Sequence, residues 1–320
     1  MKVEGRKLAK SKTALDFKKG KDIIKDIRKA KYLYLLLLPG IIYYIVFHYF
    51  PMGGVIIAFK EYKANLGILG SPWIGLKNYS FVFKDPAFFN ALKNTLVISV
   101  QRLIFQFPFP VIIALFFNEI RDGVYKRVLQ TVFTFPHFLS WVIVAGILVN
   151  FMSFNGALNN IAELLGFERK SFLSDVNLFR PMLYITENWK NAGWQSIIYL
   201  AAITSISQEQ YEAAEIDGCS RFKKMIFVTI PNIQNTIIIL FILAVGRIMN
   251  AGFEQIFNMQ NPAVKDISDI LDTYIYRITF MGPADFSFST AIGLFKSIIN
   301  FILITATDRI AKGFGEEGLF

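Results

Sequence analysis

The chain is poor in the residues that most chemistry needs. It has one cysteine, Cys219, and two histidines, His48 and His137. A single cysteine excludes an internal disulfide, and with no CxxC or HExxH spacing a metal site is not expected. No Gly-x-x-x-x-Gly-Lys-Ser/Thr phosphate loop occurs, so ATP binding by the chain itself is not expected either. No small-residue cleavage site follows the first apolar run, so the basic start does not read as a cleavable signal. A membrane-embedded enzyme would need a catalytic constellation at one interface, and no His/Asp or metal spacing qualifies.

Apolar surface is what the chain has in abundance. Hydrophobic residues make up 54% of the 320, phenylalanine alone accounts for 33, and the mean hydropathy of +0.43 is well above that of a soluble domain. Runs long enough to cross a bilayer recur at about 32–50, 91–117, 128–151, 181–203, 233–253 and 289–307. The predicted fold is an all-α integral membrane protein with six transmembrane helices. The net charge of +10 fits topology better than nucleic-acid binding. With the N-terminus inside, cytoplasmic segments carry 20 Lys and Arg and outer segments 9, which predicts both termini inside and residues 204–231 on the cytoplasmic face. The basic residues then meet anionic lipid. Residues 1–31 form a basic arm, read equally well as a surface helix over 22–31 or as a disordered tail.

Polar side chains inside hydrocarbon are costly and usually face protein or a wet cavity. In the fourth run, Glu187, Asn191 and Trp194 share one helical face. In the fifth, Arg247, Asn250 and Glu254 have the same kind of spacing. Both sets lie roughly 20 Å from the cytoplasmic ends of their helices, at 1.5 Å per residue. This predicts a cavity between the two helices. The competing reading is a Glu187–Arg247 pair that joins helices. His137 and Ser140 follow Pro136 in the third run; they are further candidates for the cavity wall, with a satisfied structural histidine as the alternative for His137. Gln101, Arg102 and Gln106 of the second run are expected to face the protein interior or a partner subunit. Lys296 and Asn300 either line the pathway or pair with acidic neighbours.

The polar stretch from Tyr211 to Pro231 organises the rest. Gln208 to Ile216 is rich in helix formers. Gly218 can end that helix in the left-handed region, Ser220 can cap a second helix, and Pro231 marks its handover to the next. This stretch resembles the EAA motif of permease subunits of binding-protein-dependent ABC importers. Glu212, Ala213, Ala214, Gly218 and Pro231 fall on the pattern, while Val228 and Ile230 replace the usual Ile and Leu. Asp217 with Gly218, and Cys219 to Phe222, fit the sugar-importing branch. Phe47 to Met52, Phe253 to Phe257, Asp269 to Tyr274 and Ala291 to Lys296 are similar to the permeases for complex oligosaccharides.

The resemblance covers about 32–309. It implies a type I ABC importer permease fold, with a six-helix permease domain at 32–311, a coupling loop at 204–231 and a cytoplasmic tail at 312–320. Glu212, Ala213, Ala214, Asp217, Gly218 and Pro231 would then meet a cytoplasmic ATPase. The implied partners are a second homologous permease, two ATPase subunits that carry ATP and Mg, an extracellular solute-binding protein and an oligosaccharide. The alternatives are an ABC permease for a peptide or polyol and an ion-coupled secondary carrier. The carrier would rely on buried carboxylates such as Glu187 and leave the EAA spacing unexplained.

Overall fold

A computed structural model describes residues 29–313. Most of the basic arm and of the C-terminal tail lies outside the described residues. The chain divides into two units, Met1–Val55 and Ile56–Phe320. The described part of the first is helical from Lys31, with Pro39 inside the helix and a π-helical stretch at Ile45–Tyr49. Such irregularities are tolerated in helices that cross membranes.

All regular structure among the described residues is helical, apart from an isolated bridge between Lys60 and Trp73. The helices used below are α1 (Lys31–Phe59), α2 (Pro86–Gln106), α3 (Pro108–Glu119), α4 (Val124–Thr134), α5 (Trp141–Phe151), α6 (Ala157–Leu164), α7 (Phe179–Thr204), α8 (Gln208–Ile216), α9 (Arg221–Asn232), α10 (Gln234–Val245), α11 (Phe253–Met259), α12 (Leu271–Phe280) and α13 (Phe286–Gly313). Three stretches are single helices long and apolar enough to cross a membrane: α1, the α2–α3 run and α13. Two more qualify as bent pairs. One, Val124–Phe138 with α5, bends by 100°, and the other, α9 with α10, bends by 63°. Helix α7 has 26 residues, enough to span by length, although Glu187 and Lys190 lower its hydropathy. Each of the six expected spans thus has a helical counterpart.

The boundaries differ from the hydropathy reading for local reasons. The second span begins at Pro86 because Asp85 caps it, accepting from the Ala87 N–H at 2.8 Å, with proline at the first position, where its missing N–H costs nothing. The third span is not one helix. Pro136 sits in a 3₁₀ turn at Phe135–Phe138, and Ser140 restarts the chain as the cap of α5. The segment between the first and second spans is not uniformly exposed. Asn78 is buried and donates to the carbonyls of Ala58 and Lys60 at 2.8 and 3.1 Å.

Helix α7 is central, packing against α2, α3, α4 and α10. At Gly193 it touches the α4 backbone so closely that a β-carbon would lie 2.1 Å from the Phe133 carbonyl oxygen. Toward the predicted outer side, residues 260–285 are fastened to the helix ends. Asn94 donates to the carbonyls of Asp266 and Asp269, Arg180 to that of Ile267, and Arg277 pairs with Asp269 at 2.6 Å. At the other end, Leu115, Tyr199, Ile203 and Ile233 form a buried cluster with Ile206, Met225 and Ile230 packed on it. The base of the polar loop is therefore held by apolar packing.

Candidate functional site

Two regions carry the polar groups singled out in the sequence. The first is the loop. Helix α8 starts at the Ser207 cap, whose hydroxyl accepts from the Glu209 N–H. It ends at Gly218, which has φ +73°, while the Cys219 N–H reaches back to the Ala214 carbonyl at 2.9 Å. That reversal satisfies a carbonyl that the helix end would otherwise leave open. Ser220 then caps α9. The two helices are tied by Lys224 to Glu215 at 3.1 Å, by the Tyr211 hydroxyl to Thr229 at 2.9 Å and by Asn232 to Gln210 at 2.8 Å. Glu212, Ala213, Asp217 and Gly218 are exposed, and the Glu212 carboxylate has no partner among the described residues. Ala214 is half-buried against the turn, and Pro231 lies in α9. Ile216 and Phe222 stand beside this surface, 87% and 67% exposed. The result is a rigid, capped hairpin with an uncommitted acid and bare apolar side chains.

The second region is a cavity of ≈ 330 Å³ between α2, α7 and the end of α10. Its wall includes Ser99, Arg102, Gln106, Glu187, Gln195, Arg247 and Asn250. Helix α10 stops at Val245, and the chain runs through turns to Gly252, at φ +86°, before α11 begins. Arg247 and Asn250 therefore sit on unwound backbone. Non-helical backbone at membrane depth is tolerated where it is buried in protein or lines a cavity. The Asn300 side chain of α13 accepts the Met249 N–H at 3.2 Å, which satisfies a donor freed by the break. Because of that break, the shared helical face expected for Arg247, Asn250 and Glu254 does not exist; Glu254 falls in the first turn of α11, outside the cavity wall.

Arg102 is the anchor of the wall. It donates to Gln255, whose amide is held by the Leu183 carbonyl and Thr186, each at 2.8 Å. Its guanidinium lies 3.8 Å from the Glu187 carboxylate and occupies the space that a β-carbon on Gly252 would fill. Both members of this ion pair are largely out of solvent, so it persists only because hydrogen bonds accompany it. Glu187 is thus paired with Arg102, not with Arg247. From Glu187 the chain of contacts continues to Asn191 at 2.6 Å and on to His137 at 2.8 Å. The His137 ring stacks on Trp194 with centroids 4.7 Å apart. Asn191, Trp194 and His137 are not on the cavity wall but are linked to it through Glu187, while Ser140 serves as a helix cap.

Of the wall residues on α2, the sequence reading passes over Ser99 and does not place Arg102 and Gln106 at a cavity. Ser99, Arg102 and Gln106 lie at i, i+3 and i+7 on one face of α2. Ser99 Oγ, Arg102 Nε and Gln106 Nε2 are buried without a hydrogen-bond partner among the described residues. Arg102 and Gln106, expected to face the protein interior or a partner subunit, lie in the interior on the wall of this cavity. Their polar stripe in an apolar run was visible in the sequence. Lys296 pairs with Asp272 at 2.6 Å, so it and Asn300 serve structural contacts.

Helical spans, a polar cavity at a broken helix and a capped hairpin between two spans define the class: a membrane permease. The family model described as "Binding-protein-dependent transport system inner membrane component" matches residues 106–315, and the chain belongs to that family. It is 46% identical to Protein LplB of Bacillus subtilis, over 94% of this chain and 95% of the relative. It is 42% identical to YteP of the same organism, named as a polygalacturonan/rhamnogalacturonan transport system permease, over 94% of each. Among solved structures it resembles a bacterial ABC transporter that imports the acidic polysaccharide alginate, with TM-score 0.83, 37% identity and coverage of 91% of this chain and 98% of the other. A second structure of an alginate ABC transporter, in complex with an alginate pentasaccharide-bound periplasmic protein, matches with TM-score 0.84 at 36% identity.

Proposed function

We propose that this chain is the translocation subunit of an ATP-driven importer for an oligosaccharide. The observation that carries the reading is the cavity at the break after α10. Its wall offers hydroxyl, amide and guanidinium groups without committed partners, beside the Phe107 ring. A saccharide presents hydroxyl groups and apolar CH faces, which such a mixture satisfies. The names of the relatives and structural neighbours, all carbohydrate transporters where a cargo is stated, support the same class.

The chain works with a second, homologous permease, two cytoplasmic ATPase subunits that bind ATP and Mg, and an extracellular binding protein. Both termini face the cytoplasm. The 208–231 hairpin docks on an ATPase through Glu212, Ala213, Ala214, Asp217 and Gly218, with Pro231 at its base. Movement there passes along two routes to the cavity: up α7 to Glu187, and through α9 and α10 to Arg247. The chain carries no reaction of its own; it provides the path and the lever.

The test is reconstitution of the assembled importer in liposomes with its binding protein and a radiolabelled oligosaccharide. Uptake should require internal ATP and survive collapse of ion gradients. Uptake driven by an ion gradient without ATP would overturn the reading.

A further inference from the structure

The charge inventory of the cavity narrows the cargo. Its wall holds two guanidinium groups, Arg102 and Arg247, and one carboxylate, Glu187. The carboxylate is engaged: one oxygen accepts from Asn191 and the other faces Arg102. Arg102 is therefore neutralised and locked, and its unpartnered Nε is buried. Arg247 has no such arrangement. Its side chain is exposed, lies on the wall and makes no hydrogen bond or ion pair among the described residues. The cavity therefore keeps one uncompensated positive charge, flanked by buried donors on Arg102 and Gln106.

A neutral sugar gains little from such a charge. A carboxylate on the sugar ring gains a paired, bidentate set of hydrogen bonds from a guanidinium. We propose that the cavity selects oligosaccharides bearing carboxylates, that is, uronate-containing glycans, and that Arg247 is the residue that reads the carboxylate. The unwound stretch fixed by Asn300 sets where Arg247 stands. The inference rests on the importer reading above and adds the substrate class.

The experiment uses the full permease–ATPase complex in detergent, without the binding protein, so that selectivity is read at the membrane site. The probes are tri-galacturonate and its carboxyl-reduced neutral counterpart, with binding followed by calorimetry at low and high salt. Wild type should prefer the acidic trisaccharide by about tenfold or more, the scale of a charge-assisted hydrogen bond. High salt should shrink that preference. Arg247→Gln should bring the ratio near one, and Arg247→Lys should retain part of it, since lysine keeps the charge but loses the bidentate fork. Equal binding of both probes by wild type would overturn the uronate assignment and leave the importer reading standing. An unchanged acidic preference in Arg247→Gln would remove Arg247 from the assignment, as would Arg247 serving instead to pair with an acid of the second permease. Failure of the wild-type complex to bind either sugar, with no ATP-dependent uptake of any oligosaccharide in the liposome assay, would remove the importer reading as well. Co-purification of each variant with the ATPase distinguishes loss of recognition from loss of folding.

Discussion

The 208–231 hairpin and the Val245–Gly252 break are both polar interruptions between apolar helices, yet they are built by opposite rules. The hairpin is assembled from neighbours in sequence: Ser207 and Ser220 cap, Gly218 turns, and Lys224 reaches Glu215. The break is assembled from a distance. Gly246 packs under Ile304, where a β-carbon would lie 2.7 Å from Ile304 Cδ1. Gly252 makes room for Arg102, and Asn300 takes the Met249 N–H. A structure made of local signals can serve as a portable docking surface. One made of long-range contacts moves only when the spans around it move, which suits a gate or binding site.

Substitutions at the break should do the most damage. Gly252→Val would meet Arg102 Nη1 at 2.2 Å from its β-carbon and would strain a backbone at φ +86°. Strain alone costs about 1–3 kcal/mol, and expelling Arg102 would also leave Glu187 unpaired. The expected outcome is loss of assembled complex on size-exclusion chromatography. Gly218→Val strains a backbone at φ +73° but meets no atom within 4 Å. The spans should fold with unchanged helicity by circular dichroism, while substrate-stimulated ATP hydrolysis falls by about tenfold or more, a shift of roughly 1.4 kcal/mol or greater. If Gly218→Val instead unfolds the spans, with helicity lost by circular dichroism, the distinction between local and long-range construction fails.

Smaller effects sharpen the contrast. Asn300→Ala leaves a buried N–H without its acceptor and should lower stability by about 1–3 kcal/mol, read as a drop in melting temperature in detergent. Lys224→Ala removes an ion pair whose Glu215 partner is 75% exposed. It should cost at most about 1 kcal/mol and leave the melting temperature almost unmoved.

The same contrast explains what could be read from the sequence. The hairpin was legible down to its bounds, because capping and glycine turns are decided within a few residues. The helical class and the approximate positions of the spans were legible from hydropathy. The end of α10 was not, since 233–253 reads as one apolar run and the groups that break it come from α2 and α13. Glu187, Arg247 and Asn250 were found by their polarity, but the pairing of Glu187 was not. Spacing along one helix does not say which arginine arrives from another.

The proposed coupling of an ATPase to the cavity through the hairpin is probed most sharply at Glu212. Its carboxylate is exposed and partnerless among the described residues, so Glu212→Lys disturbs no contact seen within this chain. The measurement is co-purification of the ATPase with the permeases, followed by substrate-stimulated ATP hydrolysis in liposomes. The proposed coupling requires weakened docking or loss of stimulation in a complex whose spans remain folded. Normal docking together with normal stimulated hydrolysis in Glu212→Lys would contradict it.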